Sequence, residues 1–375
     1  MLYEKTTNIE VKKYNKNTIY RFIYNSEKTS KQEIAKNLEV SLPTITQHLK
    51  SLLEDGLIIE DGEFESTGGR KAKAIMCVKD SRLAVGLDIT KNHISIVLID
   101  LGGNILRNIR IEKRFENIAD YYKNVGKVLC EFIENSTFKN SKILGVGISI
   151  PGIVSADQKE ITNSHVLQIK NVQCEELKKY IPYDCIFCND ANAAGKAELW
   201  NDDSKKNIIY LSLSNSVGGA IFYNKKMYFG DNERSGEFGH MIIIPDGKQC
   251  YCGQKGCVDA YCSAKVLADS AGGSLSNFFT LLNNKNKEQV QIWKEYINNL
   301  SIVINNLRMV FDCTIILGGY VGAYLDENIK GIKEIVSKHN TFGIETKYLR
   351  SCHYKLESSA VGAALLQIEK FMNQI

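Results

Sequence analysis

Residues 236–261 read GEFGHMIIIPDGKQCYCGQKGCVDAY and carry the strongest signal in the chain. Cys250, Cys252 and Cys257 fall within eight positions, and His240 lies ten residues before the first of them. The interspersed glycines let the backbone bend so that three sulfur atoms can face one point. Zinc favours tetrahedral sites of cysteine and histidine, and four protein ligands leave no position for a reactive water. The segment therefore predicts a structural Zn²⁺ site formed by His240, Cys250, Cys252 and Cys257.

The chain holds eleven cysteines, so chance proximity and a redox-active thiol group are alternative explanations of this cluster. Because the first residues are polar, we expect no export signal, and an odd cysteine number argues against a disulfide framework. Cys185 and Cys188 are also closely spaced, but they lie in an apolar segment, where we expect unreactive thiols. A zinc-sensing regulator is a further alternative. Four protein ligands instead favour a permanently bound metal.

The composition is that of a soluble globular protein, with 44% hydrophobic and 24% charged residues in a chain of 375. This length allows two or three domains. No apolar run approaches the length that spans a bilayer, so we expect a cytoplasmic protein without membrane contact. The net charge of +4 is too small to indicate a nucleic-acid partner by itself.

The pattern of the sequence changes near residue 80. Residues 14–55 have the apolar spacing of three short helices, whereas strand-like and helical segments alternate from residue 84 onward. Alternating strands and helices are typical of an α/β protein. The sequence therefore predicts an N-terminal domain over residues 1–80 and an α/β body over residues 81–375.

Residues 30–55, SKQEIAKNLEVSLPTITQHLKSLLED, have the spacing of a helix-turn-helix. The hydroxyl of Ser41 is suited to cap the second helix, and Pro43 is tolerated in its first turn. The apolar stripe of that helix comprises Ile45, Leu49, Leu52 and Leu53. Polar side chains on the opposite face suit hydrogen bonds to bases and phosphates in a major groove. The pattern of this helix therefore predicts that four residues contact double-stranded DNA: Ser41, Thr44, Gln47 and Lys50.

Residues 57–78 are predicted to form a β-hairpin wing whose tip, residues 66–73, reads STGGRKAK. The two glycines permit a tight turn, and the basic side chains after them suit entry into a minor groove. The predicted wing contacts are Arg70, Lys71 and Lys73. A helical protein-interaction module is the alternative for this region. The order of turn, cap, amphipathic helix and basic wing favours DNA binding.

Several motifs along the chain together resemble the ROK family, which comprises repressors, open reading frames and sugar kinases. Besides the cysteine segment, they are ISIPGIV (148–154), ITNSH (161–165), NDANAAGKAEL (189–199), ILGGYV (316–321) and SSAVGAALL (358–366). The wing sequence STGGRKA is similar to that of the DNA-binding branch of the family, xylose repressors and N-acetylglucosamine repressors among them. The resemblance extends from residue 14 to the end of the chain.

This resemblance implies an actin-like, ribonuclease H-like body of two lobes with a monosaccharide in the cleft between them, the C-terminal helix returning to the first lobe. Carried over position by position, the implied sugar contacts are Asn163, Asn189, Asp190, Glu237, His240 and Asp259. Family members usually have Glu where this chain has Asp259, which is shorter by a methylene. His240 would bind zinc through one ring nitrogen and a sugar hydroxyl through the other. Alternatively, Asp190 only caps a helix and Asn163 only stabilises a turn.

Kinases of the family hold ATP phosphates on a glycine-rich turn after the first strand of the body. Here residues 88–92 read DITKN, without a glycine, and residues 214–219 keep only part of a second glycine turn. Because backbone can approach a phosphate closely only where side chains are absent, we expect no kinase activity, with Asp190 a vestigial catalytic base. The sequence thus predicts a sugar-responsive repressor that binds operator DNA as a homodimer or tetramer. The alternative is a ROK-type sugar kinase with an appended DNA-binding module.

Overall fold

The computed structural model describes residues 8–64, 72–138, 141–200, 202, 206–339, 343 and 345–375. The chain begins with three helices and an antiparallel hairpin: α1 (Asn8–Asn25), α2 (Lys31–Leu38), α3 (Leu42–Glu54), β1 (Ile58–Glu63) and β2 (Lys73–Cys77). This is the order of a winged helix-turn-helix. Arg70 and Lys71, two of the predicted wing contacts, lie outside the described residues.

The start of α3 follows the sequence prediction, because the Ser41 hydroxyl accepts a hydrogen bond from the Thr44 amide and Pro43 stands in the first turn. Ile45, Leu49 and Leu52 are buried, as predicted. The prediction for Leu53 is wrong, since 37% of this residue is exposed and His48 is buried instead. At 3.6 residues per turn His48 and Leu53 lie on opposite borders of the stripe of Ile45, Leu49 and Leu52, so the elements that pack beside α3 decide which of the two is buried.

The first lobe of the body is built on a five-stranded mixed sheet in the order β10-β6-β3-β4-β5, with a small antiparallel sheet β7-β8-β9 beside it. Its elements are β3 (Leu83–Ile89), β4 (His93–Asp100), β5 (Ile105–Glu112), α4 (Ala119–Glu134), β6 (Ile143–Ile150), β7 (Ile153–Val154), β8 (Glu160–Ser164), β9 (Ile169–Gln173), α5 (Glu175–Lys178), β10 (Cys185–Asn189) and α6 (Asp190–Trp200). The strands β3, β4 and β6 are apolar along almost their whole length because α4 covers one sheet face and further helices cover the other.

The second lobe contains a sheet in the order β13-β12-β11-β14-β15. The elements that complete the chain are β11 (Ile208–Leu213), β12 (Val217–Tyr223), β13 (Lys226–Tyr228), α7 (Asp259–Cys262), α8 (Ala264–Asp269), α9 (Leu275–Asn283), α10 (Lys287–Phe311), β14 (Thr314–Gly318), α11 (Gly319–Gly322), α12 (Leu325–His339), β15 (Leu349–Ser351) and α13 (Ser358–Met372). Of the helices that the structure describes, none is long and apolar enough to cross a membrane.

The two large sheets share one plan. In the first sheet β3, β4 and β5 form an antiparallel meander, β3 pairs in parallel with β6, and β6 pairs in parallel with β10. In the second sheet β11, β12 and β13 form the same meander, β11 pairs in parallel with β14, and β14 pairs in parallel with β15. The structure therefore contains a duplicated unit that the sequence analysis did not detect. The predicted α/β, two-lobed, actin-like architecture is confirmed.

Two helices, α6 and α13, lie between the large sheets. Helix α13 packs on β3 and β6, and α6 packs on α13, β11 and β12. The contact between the helices is close enough that a Cβ atom at Gly362 would stand 1.6 Å from the carbonyl oxygen of Ala193. Small residues are therefore required here, and they place the start of α6 at the boundary between the lobes.

The N-terminal helices share an apolar core with the first lobe. Ile19 and Ile23 of α1 belong to one buried cluster with Leu101, Ile368 and Met372 of the body. The division of the chain at residue 80 stays a prediction, because this core continues across the boundary. Helix α1 is consequently attached to the body as well as to the rest of the winged helix.

Candidate metal cluster and interlobe cleft

The four predicted metal ligands come together. The ligand atoms of His240, Cys250, Cys252 and Cys257 all lie within 4.8 Å of one another. Cys252 Sγ is 3.8 Å from Cys257 Sγ, and Cys250 Sγ is 4.0 Å from His240 Nδ1. Tetrahedral zinc with its usual Zn–S distance of about 2.3 Å requires ligand separations of roughly 3.8 Å. The donor set and its spacing therefore fit a tetrahedral Zn²⁺ site.

The loop that carries the three cysteines depends on its glycines. Gly253 (φ +93°) closes a turn in which its amide donates to the Cys250 carbonyl over 3.1 Å. Gly256 (φ +81°) passes so close to an earlier part of the loop that a Cβ atom would stand 1.8 Å from the Ile244 carbonyl oxygen. A side chain at either position would strain the backbone, and at Gly256 it would also collide with Ile244.

A cavity of about 1230 Å³ opens between the lobes beside this cluster. Five of the six side chains implied as sugar contacts line it: Asn163, Asn189, Asp190, Glu237 and His240. The first three come from β8, the end of β10 and the start of α6 in the first lobe. Glu237 and His240 come from a short 3₁₀ segment of the second lobe. The cleft thus gathers carboxylates, amides and an imidazole, the groups that pair with vicinal hydroxyls.

Hydrogen bonds to the backbone hold Asn189 and Asp190 at the start of α6. The Asn189 side-chain amide donates to the Gly152 carbonyl over 3.1 Å, and its oxygen accepts from the Asn192 amide over 3.0 Å. Asp190 Oδ1 accepts from the Ala191 amide over 2.9 Å. Both side chains therefore contribute to the helix start and also face the cavity.

Two poorly solvated carboxyl groups lie near the boundary between the lobes: Asp190 lines the cleft, and Asp88 lines a smaller cavity next to it. Burial raises the pKa of Asp190 to about 7, and repulsion from Asp88 adds to the shift. Burial likewise raises the pKa of Asp88 to about 6, against the hydrogen bond that Ser149 donates to it over 2.7 Å. A carboxyl group that titrates near neutrality can either accept or donate a hydrogen bond when a hydroxyl approaches.

Tyr251 and His165 also line the cavity and were missed by the sequence analysis. The Tyr251 hydroxyl lies 3.4 Å from His240 Nε2, and its ring centroid lies 5.9 Å from that of His165 in the first lobe. His240 therefore presents Nδ1 to Cys250 and Nε2 to the cleft. The position of Tyr251 in the sequence could have predicted its role. It stands between two cysteine ligands, so its side chain must project away from the cluster.

Asp259 is placed differently from the other implied sugar contacts. It is buried at the start of α7, where its Oδ1 accepts a hydrogen bond from the Val217 amide over 2.6 Å, and it is not among the residues that line the cavity. The short aspartate side chain is thus directed to the start of β12. A direct contact between Asp259 and a sugar has no support in this placement.

Of the predicted DNA contacts that the structure describes, Ser41, Thr44, Gln47 and Lys50 belong to α3 or its cap and Lys73 belongs to β2. Gln47 and Lys50 are exposed, and Lys50 Nζ is 3.9 Å from Glu54 Oε1 in the next turn. Ser41 and Thr44 are joined by a 2.9 Å hydrogen bond between their hydroxyls. Lys73 on β2 is paired with Glu60 of β1 over 2.7 Å, so this wing cation has an acidic partner.

The turn after β3, where kinases of the family hold phosphates, is closed by its own side chain. Thr90 Oγ1 accepts from the His93 amide and donates to the His93 carbonyl, both over 3.0 Å. A second cavity next to it, lined by Asp88, Thr90 and Tyr320 among others, has a volume of about 50 Å³. This space is far smaller than the cleft beside the cysteine cluster.

Comparison with known proteins gives consistent matches over most of the chain. Residues 84–370 match the sequence profile of the ROK family, and residues 14–59 match a winged helix-turn-helix DNA-binding profile. The xylose repressor of Bacillus subtilis is 29% identical over 266 residues, which are 69% of this chain and 68% of that protein.

Solved structures share the fold. A ROK family transcriptional regulator, described as a homologue of the Escherichia coli MLC protein, superposes with a TM-score of 0.78 at 19% identity and covers 97% of both chains. A ROK family glucokinase from Streptomyces griseus, in complex with glucose and AMPPNP, superposes with a TM-score of 0.63 at 21% identity, over 76% of this chain and 98% of the other.

Proposed function

Since this chain belongs to the ROK family and carries an N-terminal winged helix-turn-helix, we propose that it is a sugar-responsive, DNA-binding transcriptional repressor of carbohydrate-utilisation genes. The observation that carries the proposal is the convergence of Asp190, Glu237 and His240 on one cleft in a chain with a DNA-binding module. The similarity to a xylose repressor supports the repressor role and makes xylose the first effector to test.

The proposed effector is a monosaccharide that binds Asn163, Asn189, Asp190, Glu237 and His240. A bound Zn²⁺, held by His240, Cys250, Cys252 and Cys257, would be structural and would supply a fixed orientation of the His240 ring. The support for this role is that His240 has one nitrogen at the cysteines and the other at the cleft.

Regulation would follow from a different affinity of the sugar for two arrangements of the protein. A homodimer or tetramer would place two α3 helices on operator half-sites about one helical turn of DNA, or a multiple of it, apart. If sugar prefers an arrangement that spaces these helices incorrectly, operator affinity falls by the coupling free energy, typically about 1–3 kcal/mol.

The test of this function combines two measurements on the full chain. Duplexes selected from a random pool supply the DNA probe, and a thermal-shift screen of monosaccharides, D-xylose and D-glucose included, supplies the sugar. We expect one sugar to raise the melting temperature of the protein and to weaken its binding to the selected duplex. Operator affinity that no sugar changes would refute the effector part of the proposal.

Replacing Gln47 with alanine is expected to weaken binding to the selected duplex by about 1–3 kcal/mol, because an exposed amide on α3 would lose its hydrogen bonds to a base edge. Lys50→Ala should instead remove one phosphate contact. The slope of log affinity against log salt concentration should then fall by about 1, with little change in sequence preference. Fluorescence anisotropy at several salt concentrations measures both. Equal losses on selected and random duplexes for Gln47→Ala would contradict a base contact.

We also propose that the chain is not a sugar kinase. Thr90 uses its hydroxyl within its own turn, and the adjoining cavity of about 50 Å³ has little room for a nucleotide. ATP is therefore expected to leave the melting temperature unchanged, with or without sugar. Sugar-dependent release of ADP would establish the alternative, a ROK-type kinase with an appended DNA-binding module.

A further inference from the structure

Helix α6 reaches from the interlobe cleft to the DNA-binding module. It begins at Asp190, which lines the cleft, and ends at Trp200, which contacts α1 of the winged helix. Its eleven residues span about 16 Å. One rigid element therefore touches both the proposed sugar site and the proposed DNA reader.

The middle of α6 is packed too closely to bend independently. A Cβ atom at Gly195 would stand 2.8 Å from the Phe222 ring of β12, and a Cβ atom at Gly362 of α13 would stand 1.6 Å from the Ala193 carbonyl oxygen. Lys196 is paired with Glu369 of α13 over 2.7 Å. Because interiors of this density respond to a displacement by moving as packed units, a shift at Asp190 is carried along the helix to Trp200.

The end of α6 meets α1 through a chain of two hydrogen bonds. The indole Nε1–H of Trp200 donates to the Tyr24 hydroxyl over 3.0 Å, and that hydroxyl donates to the Leu101 carbonyl over 2.8 Å. Burial raises the pKa of Tyr24 to about 12, so the hydroxyl stays neutral and can accept and donate at once. Tyr24 is thereby held by two separate parts of the body.

One face of α1 forms hydrogen bonds with the body. Asn17, Arg21 and Tyr24 follow each other at helical spacing, and the first two reach the end of α13, where Asn17 donates to the Met372 carbonyl and Arg21 to the Asn373 side chain over 2.7 Å. Helix α1 also packs against α3 and β2 of the winged helix, and the Tyr20 hydroxyl lies 3.4 Å from Cys77 Sγ of β2. A rotation of α1 would therefore turn the DNA-reading helix relative to the body.

We propose that Trp200 and Tyr24 are positioning residues, and that their hydrogen bond transmits the state of the sugar cleft from α6 to α1 and so sets the orientation of the winged helix. The inference rests on the proposed function, because it names the route by which sugar changes DNA affinity. Neither residue touches the proposed sugar or DNA contacts, so each can be changed without removing a ligand-binding group.

The experiment measures the ratio of duplex Kd with and without saturating sugar, using the selected duplex and whichever of D-xylose, D-glucose and the other screened sugars gives the largest thermal shift. Tyr24→Phe and Trp200→Phe should each reduce this ratio by about fivefold, or abolish it where it is smaller, since one net hydrogen bond is worth a factor of that size. The double variant should match the single variants, because all three lack the same bond. Sugar affinity without DNA should stay within about twofold, which a general loss of structure would not allow.

Tyr354→Phe is the matched control. Its hydroxyl donates to the Gly103 carbonyl over 3.1 Å, near Trp200 but within the body, so its loss should leave the ratio unchanged. Should Trp200→Phe fold poorly, Tyr24→Phe keeps the ring shape and carries the test alone. A wild type that responds to sugar and variants that respond equally would overturn this inference only. A wild type that no sugar affects would overturn it together with the proposed function.

Discussion

The variant Cys252→Ser is expected to lose its zinc and to unfold far more easily than the wild type, with a stability loss of at least about 4 kcal/mol. Serine lacks the thiolate that zinc prefers, and removal of one corner leaves three ligands, His240, Cys250 and Cys257, which do not complete the tetrahedral site. Bound zinc per chain is measured by mass spectrometry of the metal and stability by calorimetry. Sugar affinity should fall at the same time, because the ring of His240 loses its fixed orientation.

Cys130→Ser provides the control for this prediction. Cys130 is a half-buried thiol on α4, and its replacement should keep one zinc per chain and cost about 1 kcal/mol or less. A Cys252→Ser protein as stable as the wild type, or a wild type that melts identically after metal removal by a chelator, would contradict a structural metal.

The variant Asp190→Asn is expected to bind the effector sugar about 100-fold more weakly, since it loses hydrogen bonds from sugar hydroxyls to a charged acceptor. The same change should stabilise the free protein at pH 8. The pKa of Asp190 is about 7 in the folded protein, above its ordinary value, so the folded state binds more protons than the unfolded state between about pH 4 and 7. Stability of the wild type therefore falls as the pH rises through this window.

Removing this poorly solvated charge should make the asparagine variant more stable than the wild type by about 2 kcal/mol at pH 8 and by almost nothing at pH 4. Calorimetry at the two pH values and sugar titration at pH 8 measure the two effects. Asp259→Asn is the control for sugar binding, because its amide oxygen can still accept from the Val217 amide and the side chain lies outside the cleft. An equal loss of sugar affinity in both variants would refute this distinction.

Local features were well predicted from the sequence. The Ser41 cap and the buried stripe of Ile45, Leu49 and Leu52 depend on residues within a few positions of one another, and so does the cysteine loop with its glycine turns. The edge residue Leu53 was predicted incorrectly, because a residue at the border of a helical stripe is buried or exposed according to what packs beside it.

Contacts between segments that are distant in sequence could not be predicted from the sequence in this way. His165 and Tyr251 are far apart in sequence, and only the closure of the two lobes brings their rings to 5.9 Å. The shared plan of the two sheets is a matter of strand order and direction, which different apolar sequences satisfy equally well.

The sequence by itself determined the winged helix order, the cysteine cluster and the family, because spacing along the chain is enough to specify turns, caps and metal-ligand sets. Only the tertiary structure decided that Asp259 serves the Val217 amide, that Tyr251 covers His240 in the cleft, and that Trp200 meets Tyr24. The first and the last of these contacts join residues that are far apart in sequence, and the second depends on how the cysteine loop folds back on His240. For Trp200 and Tyr24, the close packing of small residues between α6 and α13 fixes where the end of α6 can approach α1.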